Sequence, residues 1–316
     1  MRRIALRAGE LLGVLFIVSF GVFMLVTLMP GDPAVAILGE GHPRADYEAL
    51  RQELGLYDPL LTRYWDWLSS AVTGDLGRSL VPPQTEVSQR ILGALPVSVQ
   101  LAVMGLLIAL VPAIPLAMWS AAHAGGTVDR IISAAMFAVL SVPSFPAGLL
   151  LIMVFSNGLG WFPRAQWVRI SDGLPGNLHH ALLPAIVIAL MELALFTRIL
   201  RNDLIITLNE DYILAARAKG MPPRRIPVGD ALRPSSFSLV TLMGISPGRL
   251  IGSTVIVEYL FALPGMGSMI VAASGRVTSA RSRGAVLVIA LAYVVINTFI
   301  DLSYGYPDPR TRRVHV

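Results

Sequence analysis

Six long apolar runs, at 9–29, 97–121, 130–156, 181–200, 236–258 and 284–305, divide this chain. Each is close to or above the roughly 20 residues that a helix needs to cross a bilayer. Lipid offers no partner to a backbone N–H or C=O, so runs of this length fold as helices that satisfy their own backbone. The pattern predicts an all-α membrane protein with six transmembrane helices. The first run is too long for a signal-peptide core and reads as an uncleaved anchor. Pro143, Pro146, Pro184 and Pro247 lie inside the runs and predict bends. The one sizeable polar insert is 30–96, where Tyr64, Trp65 and Trp67 have the character of residues placed at a membrane surface. Three parts follow: an N-tail and first helix (1–29), the insert (30–96), and a five-helix core (97–316) containing the loop 201–235.

Orientation follows from the basic residues near the runs. Arg2, Arg3 and Arg7 precede the first. Arg201, Arg217, Lys219, Arg224, Arg225 and Arg233 follow the fourth, and Arg310, Arg312 and Arg313 follow the sixth. Six crossings put all three groups on one side, which the excess of basic residues makes cytoplasmic. The insert and the loops near 157–180 and 259–283 then face outward. Arg276, Arg281 and Arg283 run against the bias in the last of these.

Within the basic loop, NEDYILAARAKGMPP marks a short helix at both ends. Asn209 is placed to cap its start, Glu210 and Asp211 fill the first turn, Lys219 closes the last turn, and Gly220 supplies a left-handed position after it. Pro222 and Pro223 forbid continuation. Ala215, Ala216 and Ala218 leave a smooth face on which another backbone could pack. This stretch resembles the EAA loop of ABC-importer permeases, in the form found in the oligopeptide, dipeptide and nickel permease family. Further motifs agree in order: PGDP at 30–33, LGLYDPLLTRYWDWL at 54–68, GDLGRS at 74–79, LPVSVQLA at 95–102, HALLPAIVIAL from His180, VEYLFALPGMG from Val257, and NTFIDLSYGYPDPR from Asn297. The resemblance is to the first-permease branch and covers nearly the whole chain. The pattern departs from the family at Pro227 and Gly229, which interrupt a usually continuous helix, at Asp230 and Pro234, and over Val277–Arg283.

The resemblance implies a type I ABC-importer permease fold with an extracytoplasmic insert after the first helix, in a bacterial plasma membrane. It implies coupling to an ATPase through Asp211, Tyr212, Ala215, Ala216, Arg217, Ala218, Lys219 and Gly220. The implied partners are a homologous second permease, two ABC ATPase subunits or a fused one, and an extracytoplasmic substrate-binding protein. ATP and Mg would sit on the partners, with no cofactor bound by this chain. The imported class would be peptides, with nickel chelates or glutathione-like compounds as alternatives. Leu263, Pro264 and Gly265 are either part of an outward loop near the gate or binding protein, or a tight turn between helices. Asp301 and Tyr304 match the family's closing pattern.

Composition narrows the chemistry. Mean hydropathy is +0.66, and charged residues make up only 14%, which excludes an ordinary soluble domain. There is no cysteine, hence no thiolate nucleophile or thiolate metal site. Lys219 is the only lysine, and no P-loop precedes it, so the chain is not its own ATPase. The arginines are dispersed without interleaved aromatics, which gives no nucleic-acid surface. His179 and His180 are adjacent, a poor helical spacing for two ligands to one metal. No nucleophile–base pair is expected. Ser246, Arg249, Gly252 and Ser253 form one polar, small-residue stripe at helical spacing, mid-way along the fifth run. Arg249 there has two readings: it lines a translocation pathway and meets an anionic group, or it pairs with an acid such as Glu192. Glu192 is also the carboxylate an ion-coupled secondary transporter would need.

Overall fold

A computed structural model describes residues 13, 16, 17, 19–21, 23, 24, 27, 32–39, 41–73, 86–222 and 225–275. The sixth apolar run, GDLGRS, Val277–Arg283, Asp301 and Tyr304 lie outside them. Among the described residues every regular element is helical. The chain separates into two compact units, Met1–Val97 with Pro264–Leu302 and Ser98–Leu263 with Ser303–Val316.

The first unit holds α1 (Pro33–Leu38), α2 (Arg44–Glu53), α3 (Leu60–Val72), the start of α4 (Val87–Ala122) and α10 (Met266–Gly275). The PGDP motif builds a helix start. The Asp32 carboxylate accepts the Ala34 N–H at 2.9 Å, and Pro33 occupies the first turn, where its missing donor costs nothing. Arg51 of α2 donates to the same carboxylate through Nε at 3.0 Å and again through Nη2. That hydrogen-bonded guanidinium holds the Asp32 carboxyl below the usual carboxylate range. Gly55, at φ +60°, ends α2: its N–H donates to Gln52 O, and the Leu56 N–H donates to Arg51 O, both at 3.0 Å. This pair of bonds is the Schellman closure.

Tyr64 is 1% exposed within the protein, ringed by Phe16, Phe20, Phe23, Trp65 and Trp67, with its hydroxyl 2.8 Å from Ser19 Oγ. A phenol is buried readily once its O–H has a partner, and Ser19 on the N-terminal helical segment supplies one. Trp65 remains exposed.

The second unit is built around α7 (Leu174–Leu208), against which α5 (Thr127–Ser141), α6 (Ser144–Leu151) and α9 (Leu232–Leu260) pack. The helix α8 (Asp211–Ala218) joins α7 to a π-helical segment, Ile226–Ala231, that leads into α9. Ser88–Ala122 and Leu174–Leu208 are each long and apolar enough to cross a bilayer unbroken. The run 130–156 is not one straight helix. Val142 precedes Pro143, whose ring disfavours the helical conformation there; Val142 is extended (φ −98°, ψ 118°), and the chain turns by 102° between α5 and the α6 segment. Pro184 and Pro247 stay inside continuous helices, and only a 51° bend follows Pro247, between Ile226–Leu250 and Gly252–Leu260. Pro227 and Gly229 lie where the α-helical ladder gives way to a π-helical segment, and α9 begins only at Leu232. Pro227 stands in the first turn of the π-helical segment, which continues directly into α9.

One face of α4 carries Leu101, Gly105, Ala109, Ala113, Ala117 and Ala121, four residues apart, and all six are buried. Helices in lipid gain little from apolar burial alone, so small residues that permit close backbone approach decide where they pack. A Cβ on Gly105 would lie 2.8 Å from Ile188 Cγ2 and 3.2 Å from Ile188 Cβ, the latter too near the backbone to swing aside. Gly105→Val should therefore push α4 from α7 and destabilise the fold by about 1–3 kcal/mol. Thermal unfolding in detergent would register this as an earlier loss of monodisperse protein, whereas a wild-type profile would show that the contact yields without strain.

Candidate functional site

The structure supplies the short helix that the loop pattern predicts, with one change at its start. Asn209 does not cap α8. It ends α7, and its side-chain amide donates to Ile205 O at 2.8 Å. Glu210 occupies the capping position in extended backbone, without a side-chain bond. The cause is that α7 runs to Leu208, which leaves Asn209 already engaged as the terminus of the longer helix. The far end is as expected: Gly220 is left-handed at φ +79°, its N–H donates to Arg217 O at 3.0 Å, and the Met221 N–H donates to Ala216 O at 3.2 Å. The same Schellman closure that ends α2 ends α8.

One residue pins α8 to the unit. Ile213 is fully buried among Leu204, Leu208, Ile226 and Ala231. Asp211, Tyr212, Leu214, Ala215, Arg217, Ala218 and Lys219 are exposed, with Ala216 half-buried. The guanidinium of Arg217 reaches back to Leu208 O at 3.5 Å, one of the carbonyls that the end of α7 leaves open. Beside this, Ser235 at the start of α9 lies 2.8 Å from Thr207 Oγ1 and donates to Asp203 O at 3.3 Å. The exposed helix is thus carried on the joined ends of α7 and α9.

Seven residues before the end of α7, Arg201 forms a clasp that the sequence reading missed. Its Nε and Nη2 donate to the two oxygens of Asp129 at 2.6 and 2.7 Å. Asp129, in the first turn of α5, is buried. It also accepts from Ser120 Oγ at 2.5 Å and from the Gly125 N–H at 2.8 Å. By sequence alone Arg201 belongs only to the basic loop. The signal available was an acid in a helix first turn next to an apolar run, which does not by itself name a partner 72 residues away.

Mid-way along α7, Glu192 is buried and receives two helix-α9 side chains. Arg249 Nη2 donates to Oε1 at 2.8 Å and Oε2 at 2.6 Å, and Ser246 Oγ donates to Oε2 at 3.0 Å. Of the predicted stripe, Ser246 and Arg249 meet here. Gly252 is exposed and Ser253 turns to Leu250 O, so neither joins the cluster. The residues Gly244, Ser246 and Gly248 spell a G-x-S-x-G string. It lies inside α9 and not on a strand-to-helix turn, so it lacks the context of a nucleophile elbow.

Beyond α9, Ala262 takes a positive φ of 50°, and the Leu263 N–H donates to Glu258 O at 2.8 Å. Leu263 and Gly265 are buried and Pro264 is exposed. His179 and His180 bond separate carbonyls, those of Trp161 and Gln166. Among the described residues no group of three or more His, Asp or Glu side chains could hold a metal ion.

Two family models match the chain: the binding-protein-dependent transport system inner membrane component over residues 113–313, and its N-terminal companion over residues 1–102. A putative peptide transport system permease protein of Brucella abortus (strain 2308) is 34% identical, covering 97% of each chain. An oligopeptide transport system permease protein of Bacillus subtilis (strain 168) is 33% identical over 91% of this chain and 92% of its own. A glutathione transport system permease protein of Escherichia coli O6:H1 is 32% identical over 96% of each.

The clasp makes a stability prediction. Asp129→Ala leaves Arg201 without its acid, and loss of one partner of a buried pair costs roughly 3–5 kcal/mol. The lower end applies because the Arg201 side chain is 22% exposed. Asp129→Ala with Arg201→Met should recover part of the loss, since no unpaired charge then remains. A single variant as heat-stable as wild type in detergent would show that the clasp holds nothing.

Proposed function

The chain belongs to the binding-protein-dependent transport inner-membrane-component family, and we propose that it is the first of two permease subunits in an ATP-driven peptide importer. It crosses a bacterial plasma membrane six times in the type I arrangement, with both termini cytoplasmic and the insert outside. It pairs with a homologous second permease, and the facing helices form the pathway. An extracytoplasmic binding protein delivers the substrate. Two ATPase subunits, separate or fused, hold ATP and Mg and engage α8 through Asp211, Tyr212, Ala215–Ala218, Lys219 and Gly220. This chain's part is mechanical and selective. The hydrolysis belongs to the partners.

The observation that carries this reading is α8 itself: a short, exposed helix, sharply ended at Gly220 and anchored by one buried isoleucine. A helix so placed offers a neighbour its whole outer face while its inner face is fixed to α7 and α9. Ser246, Arg249, Gly252 and Ser253 are assigned to the pathway side, and Leu263, Pro264 and Gly265 to the outward gate or the binding-protein contact. The name of the Escherichia coli relative extends the substrate class to glutathione-like peptides. An ion-coupled secondary transporter is disfavoured because both oxygens of Glu192 are already taken by Arg249 and Ser246.

Gly220→Val tests the coupling role. A β-branched residue is strained at positive φ, although the space around Gly220 is open, so the substitution disturbs the end of α8 and not the packing. In the reconstituted complex the variant should lose transport and hold the ATPase weakly while the permease fold remains intact. Unchanged substrate-stimulated ATP hydrolysis would count against α8 as the coupling element.

A further inference from the structure

The pair at Glu192 is one-sided. Glu192 is engaged on both oxygens, and its side chain is 4% exposed, whereas that of Arg249 is 50% exposed. Arg249 uses only Nη2 toward the acid. Among the described residues its Nε and Nη1 have no acceptor. Half of a guanidinium therefore points away from the unit with its donors unused.

The surroundings of that open half are specific. Ile245, Arg249, Gly252, Ile256 and Tyr259 share one exposed face of α9, at steps of three and four residues. Gly252 follows Arg249 by less than one turn, and a Cβ there would meet nothing within 4 Å, so there is open space beside the guanidinium. A charged side chain facing lipid at mid-bilayer is costly, about 2.5–3.5 kcal/mol on insertion scales. The pairing with Glu192 lowers that cost without removing it, because Nε and Nη1 would still lack acceptors. The exposed face of α9 is consequently one that meets water or protein.

Resting on the permease reading, we propose that Arg249 is a specificity-determining residue that binds the carboxylate of a peptide substrate as it passes. With Nη2 held by Glu192, Nη1 is left to donate a single charge-assisted hydrogen bond to a carboxylate oxygen. Glu192 and Ser246 are positioning residues: they fix the guanidinium plane from behind, so the open edge is ordered before the ligand arrives. They also balance its charge. A lone cation would hold an anion tightly, and conduction needs a site weak enough to release. The amide of the same peptide carries no charge and gains little at this point.

The test uses the full complex, with both permeases, the ATPases and the binding protein, in proteoliposomes. Uptake of a set of di-, tri- and pentapeptides is measured as free acids and as C-terminal amides. Arg249→Gln should lower uptake of the acids about tenfold, equivalent to roughly 1.4 kcal/mol, and leave that of the amides within about twofold. Arg249→Lys should retain most of the acid uptake. Since the same binding protein serves every variant, its own preference cancels in the comparison. The double variant Glu192→Gln with Arg249→Gln leaves no unpaired charge, and it should show the same selective loss if the single variant assembles poorly. Equal loss of acids and amides, or no loss of either, would overturn the proposal while the importer reading stands. A wild-type complex that takes up no free-acid peptide would remove the importer reading, and this proposal with it.

Discussion

A polar side chain on a buried helix is costly unless a neighbour partners it, and on α7 the buried polar residues other than Thr197 find such partners. Asn177 bonds Gln100 of α4, Glu192 receives Ser246 and Arg249 of α9, Arg201 clasps Asp129 of α5, and Thr207 meets Ser235 at the start of α9. These contacts are spread over about 45 Å of helix at a rise of 1.5 Å per residue. Apolar packing is non-directional, so sliding a neighbour by one turn would cost α7 little in buried surface. The same slide would strand a carboxylate or a guanidinium in low dielectric, at several kcal/mol. The polar contacts therefore set the axial register of three neighbours, and the small-residue face of α4 sets how close one of them comes.

That register has a mechanical consequence. The exposed helix α8 has no independent support: Ile213 sits among residues of α7 and of the segment entering α9, and Ser235–Thr207 joins those two helices directly above it. A push on α8 reaches α7 and α9 together. Further along the same two helices stand Glu192 and Arg249. Under the proposed function, a rigid-body movement of this group would change what faces Arg249 without breaking its bond to Glu192, as bistable domain motions do elsewhere.

Much of this was legible in the chain because the signals are local. The helix 211–218 and its left-handed closure at Gly220 follow from residue types within ten positions. Pro143 signals the break before α6, although hydropathy alone averages across the bend. What the sequence concealed is non-local. Asn209 looks like an N-cap until α7 is known to extend to it. The burial of Tyr64 depends on Ser19, 45 residues away, which meets its hydroxyl. The Asp129–Arg201 clasp joins residues whose separate meanings, a first-turn acid and a loop cation, were each sufficient without the other. Arg249, by contrast, stands in an apolar run where a charge calls for an acid, and Glu192 lies in another such run, so that pair is legible and the clasp is not.

The rigid coupling of α8 to the middle of α9 is open to one direct measurement, helped by the absence of cysteine from the chain. Spin labels at Leu214→Cys on α8 and Ile245→Cys on the exposed face of α9 report their separation by pulsed dipolar spectroscopy in the assembled complex. Movement as one body predicts the same distance distribution with and without bound ATP, while a label on Leu214 and its counterpart on the second permease change separation. A nucleotide-dependent shift within the chain as large as the shift between subunits would contradict it, and would mean that α8 moves apart from the helices that carry Arg249.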